Sequence, residues 1–339
     1  LSVLLTGCQT IGYYSQAVGG HTAIWLGQRD IEEVLADPKV DEAVKRQLRE
    51  LKQVREFASA RLMLPRNDSY SRYVDTGRQY VVWNVVATPR YSVEPVKSCF
   101  PVVGCVSYRG YYDREEAIAQ AGKLKAGGLD VFVGGVGAYS TLGWFDDPLL
   151  NTMLSRSRAD TTALIFHELA HQQVFIKGDT KFNESFATAV AEMGLNQWAR
   201  EQGETKLLTE YRLQKARRAE VVALVLRSRE AMQQAYLAAG PDDEQALAEI
   251  KAQQFAQMKS AYQALKKNGG GTPGFDRFFA ADLNHASLAL FGEYHGWVGA
   301  FKRLFEQNNR DWQAFYQAVE DLSKLDKPER EAQLQRLSI

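Results

Sequence analysis

The stretch Phe166-His167-Glu168-Leu169-Ala170-His171, followed by Asn183-Glu184-Ser185-Phe186-Ala187, decides how this chain is read. His167 and His171 stand four apart, so a helix carries both imidazoles on one face, one turn above the other. Ala163-Leu164-Ile165-Phe166 precede the pair, and Leu169-Ala170 lie within it, which predicts an apolar helix over 160–174 with Asp160 as its N-cap. Lys177-Gly178-Asp179-Thr180 reads as a short turn, and a second helix is expected over about 183–200. Glu184 can then supply a third ligand after the chain reverses. Two histidines and a carboxylate suit one zinc ion per chain with a coordination position left open, and two of only 5 histidines fall in this motif. Glu168, beside the first ligand, points sideways from the shared face, where a carboxylate can move a proton between water and a leaving amine. Glu192 lies further along the same helix as an alternative ligand or as a group that orients a histidine.

Around this core, residues 30–62 carry apolar positions at helical spacing, broken near Asp37-Pro38. Strands are expected over 80–87, 105–112 and 129–135, separated by a helix over 113–127 capped by Asp113 and ended by Gly127-Gly128. These strands are read as one small sheet ahead of the metal helix, with a helical turn over 148–154 between. Residues 204–264 are charged and helical, broken at Gly240-Pro241; helices resume near 275–281, 293–306 and 311–322 after the breaker cluster at 268–274. The expected organisation is a tether over 1–27 and one unit over 28–325. That unit comprises N-terminal helices (28–65), a sheet and metal-helix part (66–200) and a helical part (201–325). A polar, frayed tail is expected over 326–339. The class is α+β.

Length and composition agree. The chain has 339 residues, 45% hydrophobic and 24% charged, as soluble globular proteins do. Lys plus Arg equals Asp plus Glu at 41 each, so no basic excess points to nucleic acid. No stretch after the first residues is long and uncharged enough to predict a membrane-spanning helix. Cys99 and Cys105 flank Phe100-Pro101-Val102-Val103-Gly104, a segment able to turn, and an oxidising compartment would let them bond.

Two resemblances extend this reading. Leu5-Thr6-Gly7-Cys8 resembles the end of a bacterial lipoprotein signal, which implies a lipid anchor on Cys8 and a body facing the periplasm; Gln9, by the same resemblance, favours the outer membrane. The motif pair His167-Glu168-Leu169-Ala170-His171 and Asn183-Glu184-Ser185-Phe186-Ala187 resembles the glutamate-ligand zincins, whose downstream glutamate binds zinc. From about residue 10 to 325, including Val82-Trp83-Asn84, Tyr108-Arg109-Gly110 and Ala138-Tyr139-Ser140-Thr141-Leu142-Gly143-Trp144, the chain resembles the bacterial putative aminopeptidase family. The resemblance implies a zincin-like metallopeptidase with a small mixed sheet, two metal-binding helices and a largely helical C-terminal half. It implies a peptide or protein substrate cut by metal-activated water.

Zincins align substrate beside a strand ahead of the metal helix, which nominates Ala138, Tyr139, Ser140 and Trp144. They also place an oxyanion donor on a later helix, which nominates Tyr294 first and His295 second, with Asn284 positioning it or binding substrate backbone. Arg109 could bind a substrate carboxylate. Glu115, Glu116 and Asp146-Asp147 are candidates among many for an acidic subsite that receives a free amine, so a zinc endopeptidase, a peptidoglycan-peptide amidase and a non-catalytic envelope scaffold stand beside the aminopeptidase. Neither substrate nor oligomeric state follows from the residues.

Overall fold

Side-chain caps decide where most helices begin. Asp30, Asp41, Asp113, Ser157, Asp179, Asp243, Asn284 and Asp311 each accept a backbone N–H from the first turn that follows, as N-caps do. The computed structural model describes residues 3–100, 104–138, 141, 145–289, 291 and 296–338. The elements begin with α1 (Val3–Leu26), β1 (Arg29–Asp30), α2 (Ile31–Ala36), α3 (Glu42–Arg61), β2 (Arg72–Val74), β3 (Val82–Thr88), β4 (Ser98–Phe100), β5 (Gly104–Val106) and β6 (Arg109–Tyr111). They continue with α4 (Arg114–Ala126), β7 (Asp130–Val136), β8 (Leu149–Leu150), α5 (Asn151–Leu154), α6 (Arg158–Gln173), α7 (Thr180–Glu201) and α8 (Thr205–Ala239). The last are α9 (Glu244–Lys267), α10 (Pro273–Ala280), α11 (His285–Leu288), α12 (Val298–Gln307), α13 (Trp312–Lys324) and α14 (Lys327–Ser338). Helix dominates, and the C-terminal half is largely helical among the described residues.

The chain forms two units, one of residues 1–22, 80–136 and 212–292, the other of 23–79, 137–211 and 293–339. In the first, β3 is the centre of an antiparallel sheet, flanked by β6 and β7. Val85, Ala87 and Val131 of this sheet pack with Ala117 and Ala121 of α4. A second cluster joins α8, α9 and α10 through Val225, Met232, Met258, Tyr262 and Phe279. Cys99 and Cys105 face each other across the β4–β5 pair and are joined by a disulfide.

In the second unit a short mixed sheet forms, β2 pairing antiparallel with β1 and parallel with β8. The core lies where α6 and α7 pack against each other and against α3, α12 and α13, with Phe166, Phe182, Phe186, Phe301 and Phe315 buried. Gly194 of α7 permits the close approach: a Cβ there would stand 2.6 Å from Leu62 Cδ1 and 2.9 Å from Phe166 Cδ2.

Several expectations change. The strands near 80–87, 105–112 and 129–135 do not make one sheet: 80–87 and 129–135 join the antiparallel sheet, 105–112 divides into β5, paired with β4, and β6, and the small mixed sheet is built instead by β1, β2 and β8. The expected tether is mostly helix. It is held by Gln16, whose amide donates to Gly110 O at 3.2 Å and accepts from Tyr112 N at 3.0 Å. The expected frayed tail forms α14, which buries Leu334 and Arg330.

Candidate metal centre

The α6 helix starts earlier than its sequence suggests. Ser157, not Asp160, is the N-cap; its Oγ accepts from Asp160 N at 3.1 Å and donates to Asp160 Oδ2 at 2.5 Å, closing the first turn from both sides. Ile165, Phe166, Leu169 and Ala170 are then fully buried, which fixes the helix's rotation about its axis. That rotation sets His167 and His171 side by side, Nε2 to Nε2 at 3.1 Å, with ring planes at 88°. His171 is buried and His167 is partly open.

The turn back is tied down by side chains. Asn183 accepts from Ile176 N at 2.8 Å and donates to Ile176 O at 2.7 Å. Asp179 caps α7 through Phe182 N at 3.2 Å. Glu184 therefore sits inside the helix, not before it, and meets both histidines. Its Oε2 lies 3.3 Å from His167 Nε2 and its Oε1 lies 3.6 Å from His171 Nε2. Among the described residues these three form the one group able to hold a metal ion, with ligand atoms all within 4.8 Å of one another.

The spacing can be tested against coordination chemistry. Tetrahedral ligands at zinc's usual bond lengths are separated by edges of about 3.3 Å. The two imidazole nitrogens stand 3.1 Å apart, and each lies near a different Glu184 oxygen, Oε2 at 3.3 Å from His167 and Oε1 at 3.6 Å from His171; these separations are close to that value, and two imidazoles with one carboxylate are a zinc donor set. The residues fit the ion. Electrostatics agree with a shared site. Burial lowers the His171 imidazole, helped by charge on His167, to about 4, so this ring is neutral near pH 7. Burial also opposes charge on His167, but the Glu184 hydrogen bond and the charges of Glu168 and Glu184 outweigh it and raise that ring. Glu168 is half-buried and near enough to act on His167 by its charge.

Two nearby features lay outside the sequence reading. Phe175, exposed, sets its ring edge-on to His171 at 6.3 Å. Gln172, next to His171, accepts from Asn67 Nδ2 at 2.7 Å and donates to Ser69 Oγ at 3.2 Å, tying α6 to the 65–69 loop. The buried Arg55 organises that loop by donating to the carbonyls of Pro65, Asn67 and Ser69. None of these residues has a motif around it; their roles come from contacts distant in sequence.

Other nominated residues are placed as follows. Glu192, buried on α7, pairs with Lys302 of α12. Ala138 is half-buried, in a segment where Thr152 Oγ1 donates to Gly137 O at 2.6 Å and Thr141 N to Asp147 Oδ2 at 2.8 Å. Tyr139, Ser140, Trp144, Tyr294 and His295 lie outside the described residues. Arg109 and Asn284 belong to the first unit. Arg109 stacks over the Tyr13 ring at 5.2 Å, and Asn284 caps α11 while donating to Val131 O at 3.1 Å. Beside Asn284 stands a buried chain. Asp130 Oδ2 meets His285 Nδ1 at 2.9 Å, His285 Nε2 meets the Tyr236 hydroxyl at 3.0 Å, and Lys251 holds both Asp130 oxygens. Of Cys8, only its place in α1 is described. No helix among the described residues is long and apolar enough to cross a membrane.

A family model described as putative aminopeptidase matches residues 12–334. No curated protein matches the chain, and no solved structure does.

Proposed function

We propose, from the premise that this chain belongs to the putative aminopeptidase family, that His167, His171 and Glu184 hold a catalytic zinc ion in a peptidase. The observation that carries the reading is the convergence of three donor groups from α6 and α7, the two imidazole nitrogens 3.1 Å apart and the Glu184 carboxylate 3.3 and 3.6 Å from them. Zinc bound there would acidify a water molecule and polarise the scissile carbonyl.

The chain's own residues do the rest. His171, buried and neutral, offers a lone pair without first losing a proton. Glu184 contributes negative charge, which offsets part of the ion's own. Glu168 takes a proton as water attacks the peptide carbonyl and delivers it to the nitrogen as the C–N bond breaks, leaving a carboxylate and a free amine. Tyr294, with His295 as second choice, is proposed as the donor to the developing oxyanion. Ala138, Tyr139, Ser140 and Trp144 are proposed to line the substrate. The family description favours removal of N-terminal residues over internal cuts. We place the protein at the periplasmic face of the envelope, tethered through a lipid on Cys8; the Cys99–Cys105 disulfide suits an oxidising compartment.

Glu168→Gln tests the assignment. The variant should keep about one zinc per chain and lose at least about a hundredfold in turnover of a mixed peptide library, whose cleavage products report N-terminal trimming or internal cuts. Undiminished turnover by the variant rejects Glu168 as the proton carrier. Wild-type protein that takes up no zinc rejects the site.

A further inference from the structure

The turn that delivers Glu184 is held from a distant part of the chain. Asp179 uses Oδ1 to cap α7 at Phe182 N, which leaves Oδ2 for another partner. That partner is Arg330 of α14, which donates to Oδ2 from Nη2 at 2.7 Å and from Nε at 3.3 Å. Arg330 Nη1 donates to Leu325 O at 2.7 Å, and the guanidinium lies over the Phe182 ring at 5.5 Å. The two side chains are only 5% and 7% exposed.

A buried ion pair is a poor way to gain stability, because both charges lose water; apolar contacts hold two helices as well or better. Its particular property is direction. Two guanidinium N–H groups converge on Oδ2 while Phe182 N holds Oδ1, so the carboxylate is held at both oxygens, and it is the cap of the helix bearing Glu184. Asn183, one residue before Glu184, is pinned in turn to Ile176. The start of α7 is thus fixed from α14 on one side and from the end of α6 on the other.

We propose that Arg330 is a positioning residue for the metal cluster. By gripping Asp179 it fixes the first turn of α7, and so holds the Glu184 carboxylate against His167 and His171. The Arg330–Asp179 pair therefore sets metal affinity. This rests on the reading that the cluster binds zinc.

The test compares zinc affinity, by competition against a chromophoric chelator, with urea unfolding of the metal-free protein. Asp179→Asn keeps a capping side chain and loses the charge; Arg330→Met keeps the stem and loses the fork; Arg330→Lys keeps the charge alone. Tyr316→Phe is the control, since it removes a buried bond to Leu62 O in the same unit without touching the turn. Asp179→Asn and Arg330→Met should weaken zinc binding by about tenfold or more, the range for groups that orient metal ligands, with partial recovery in Arg330→Lys. Tyr316→Phe should lower unfolding stability and leave zinc affinity within about twofold. Clamp variants that bind zinc like wild type overturn the proposal while leaving the zinc site standing, and so does a control that loses affinity equally. Wild-type protein that binds no zinc removes both readings.

Discussion

Gly194→Ala offers a direct test of how α6 and α7 are spaced. Alanine outranks glycine in a helix interior by up to about 1 kcal/mol, so at an open position the change stabilises. At Gly194 the new methyl carbon would stand 2.6 Å from Leu62 and 2.9 Å from Phe166, roughly an ångström inside ordinary contact. Both neighbours are wholly buried, so neither can swing away. Overpacking of this kind costs about 1–3 kcal/mol. The sum is a loss of up to about 2 kcal/mol, or a fall in melting temperature of up to about 3 °C for a chain of this size. Gly122 in α4, whose Cβ would meet nothing within 4 Å, supplies the opposite case: Gly122→Ala should gain up to about 1 kcal/mol. Paired urea titrations with circular dichroism read both. The reasoning fails if Gly194→Ala is stabilised as much as Gly122→Ala.

The remaining expectations concern charge and caps. Burial pushes the Asp130 carboxyl up, but hydrogen bonds from His285 and Lys251 outweigh it and hold it below the usual carboxylate range. A depressed folded value means stability that is full above the unfolded value, about 3.9, and lost as pH falls through the folded one. Lys251→Met should therefore move acid unfolding of the first unit to higher pH, followed by circular dichroism; an unmoved midpoint rejects the role of Lys251. Asp311→Ala removes the cap of α13, where Oδ1 accepts Ala314 N at 2.7 Å, and should cost about 1 kcal/mol in urea unfolding; a change below about 0.3 kcal/mol argues against the cap.

Local chemistry was legible in the residues and distant chemistry was not. The clustering of His167 and His171 could be read because their helix combines fixed spacing with a continuous apolar face, and both signals lie within a few turns. The breaks at Asp37-Pro38 and Gly240-Pro241 appear where helices end, for the same reason. The N-cap of α6 was misplaced because Ser157 and Asp160 are both capping types, and only the folded turn shows which one faces the free N–H groups. Gln16 carried no signal, since its partners Gly110 and Tyr112 are more than ninety residues away. The α14 segment looked like a polar tail because it buries one leucine and one arginine, a pattern that composition reads as solvent-facing. Four-residue α11 is too short to show a period. The Asp130–His285–Tyr236 chain joins a strand, a short helix and a long helix, so no window of sequence contains it.

The grip of Arg330 on Asp179 also has a meaning in time. The two residues are 151 positions apart, and synthesis proceeds from Asp179 toward Arg330. While the chain is still growing, both histidines and Glu184 have been made but the turn between their helices lacks its anchor. A ribosome-bound fragment, or a product broken off before α14, carries His167, His171 and Glu184 but has the start of α7 held only by the Asn183–Ile176 bonds. Under the proposed peptidase function, an order of assembly that leaves the start of α7 unanchored until the last helix docks would restrain partly made copies from acting on their neighbours.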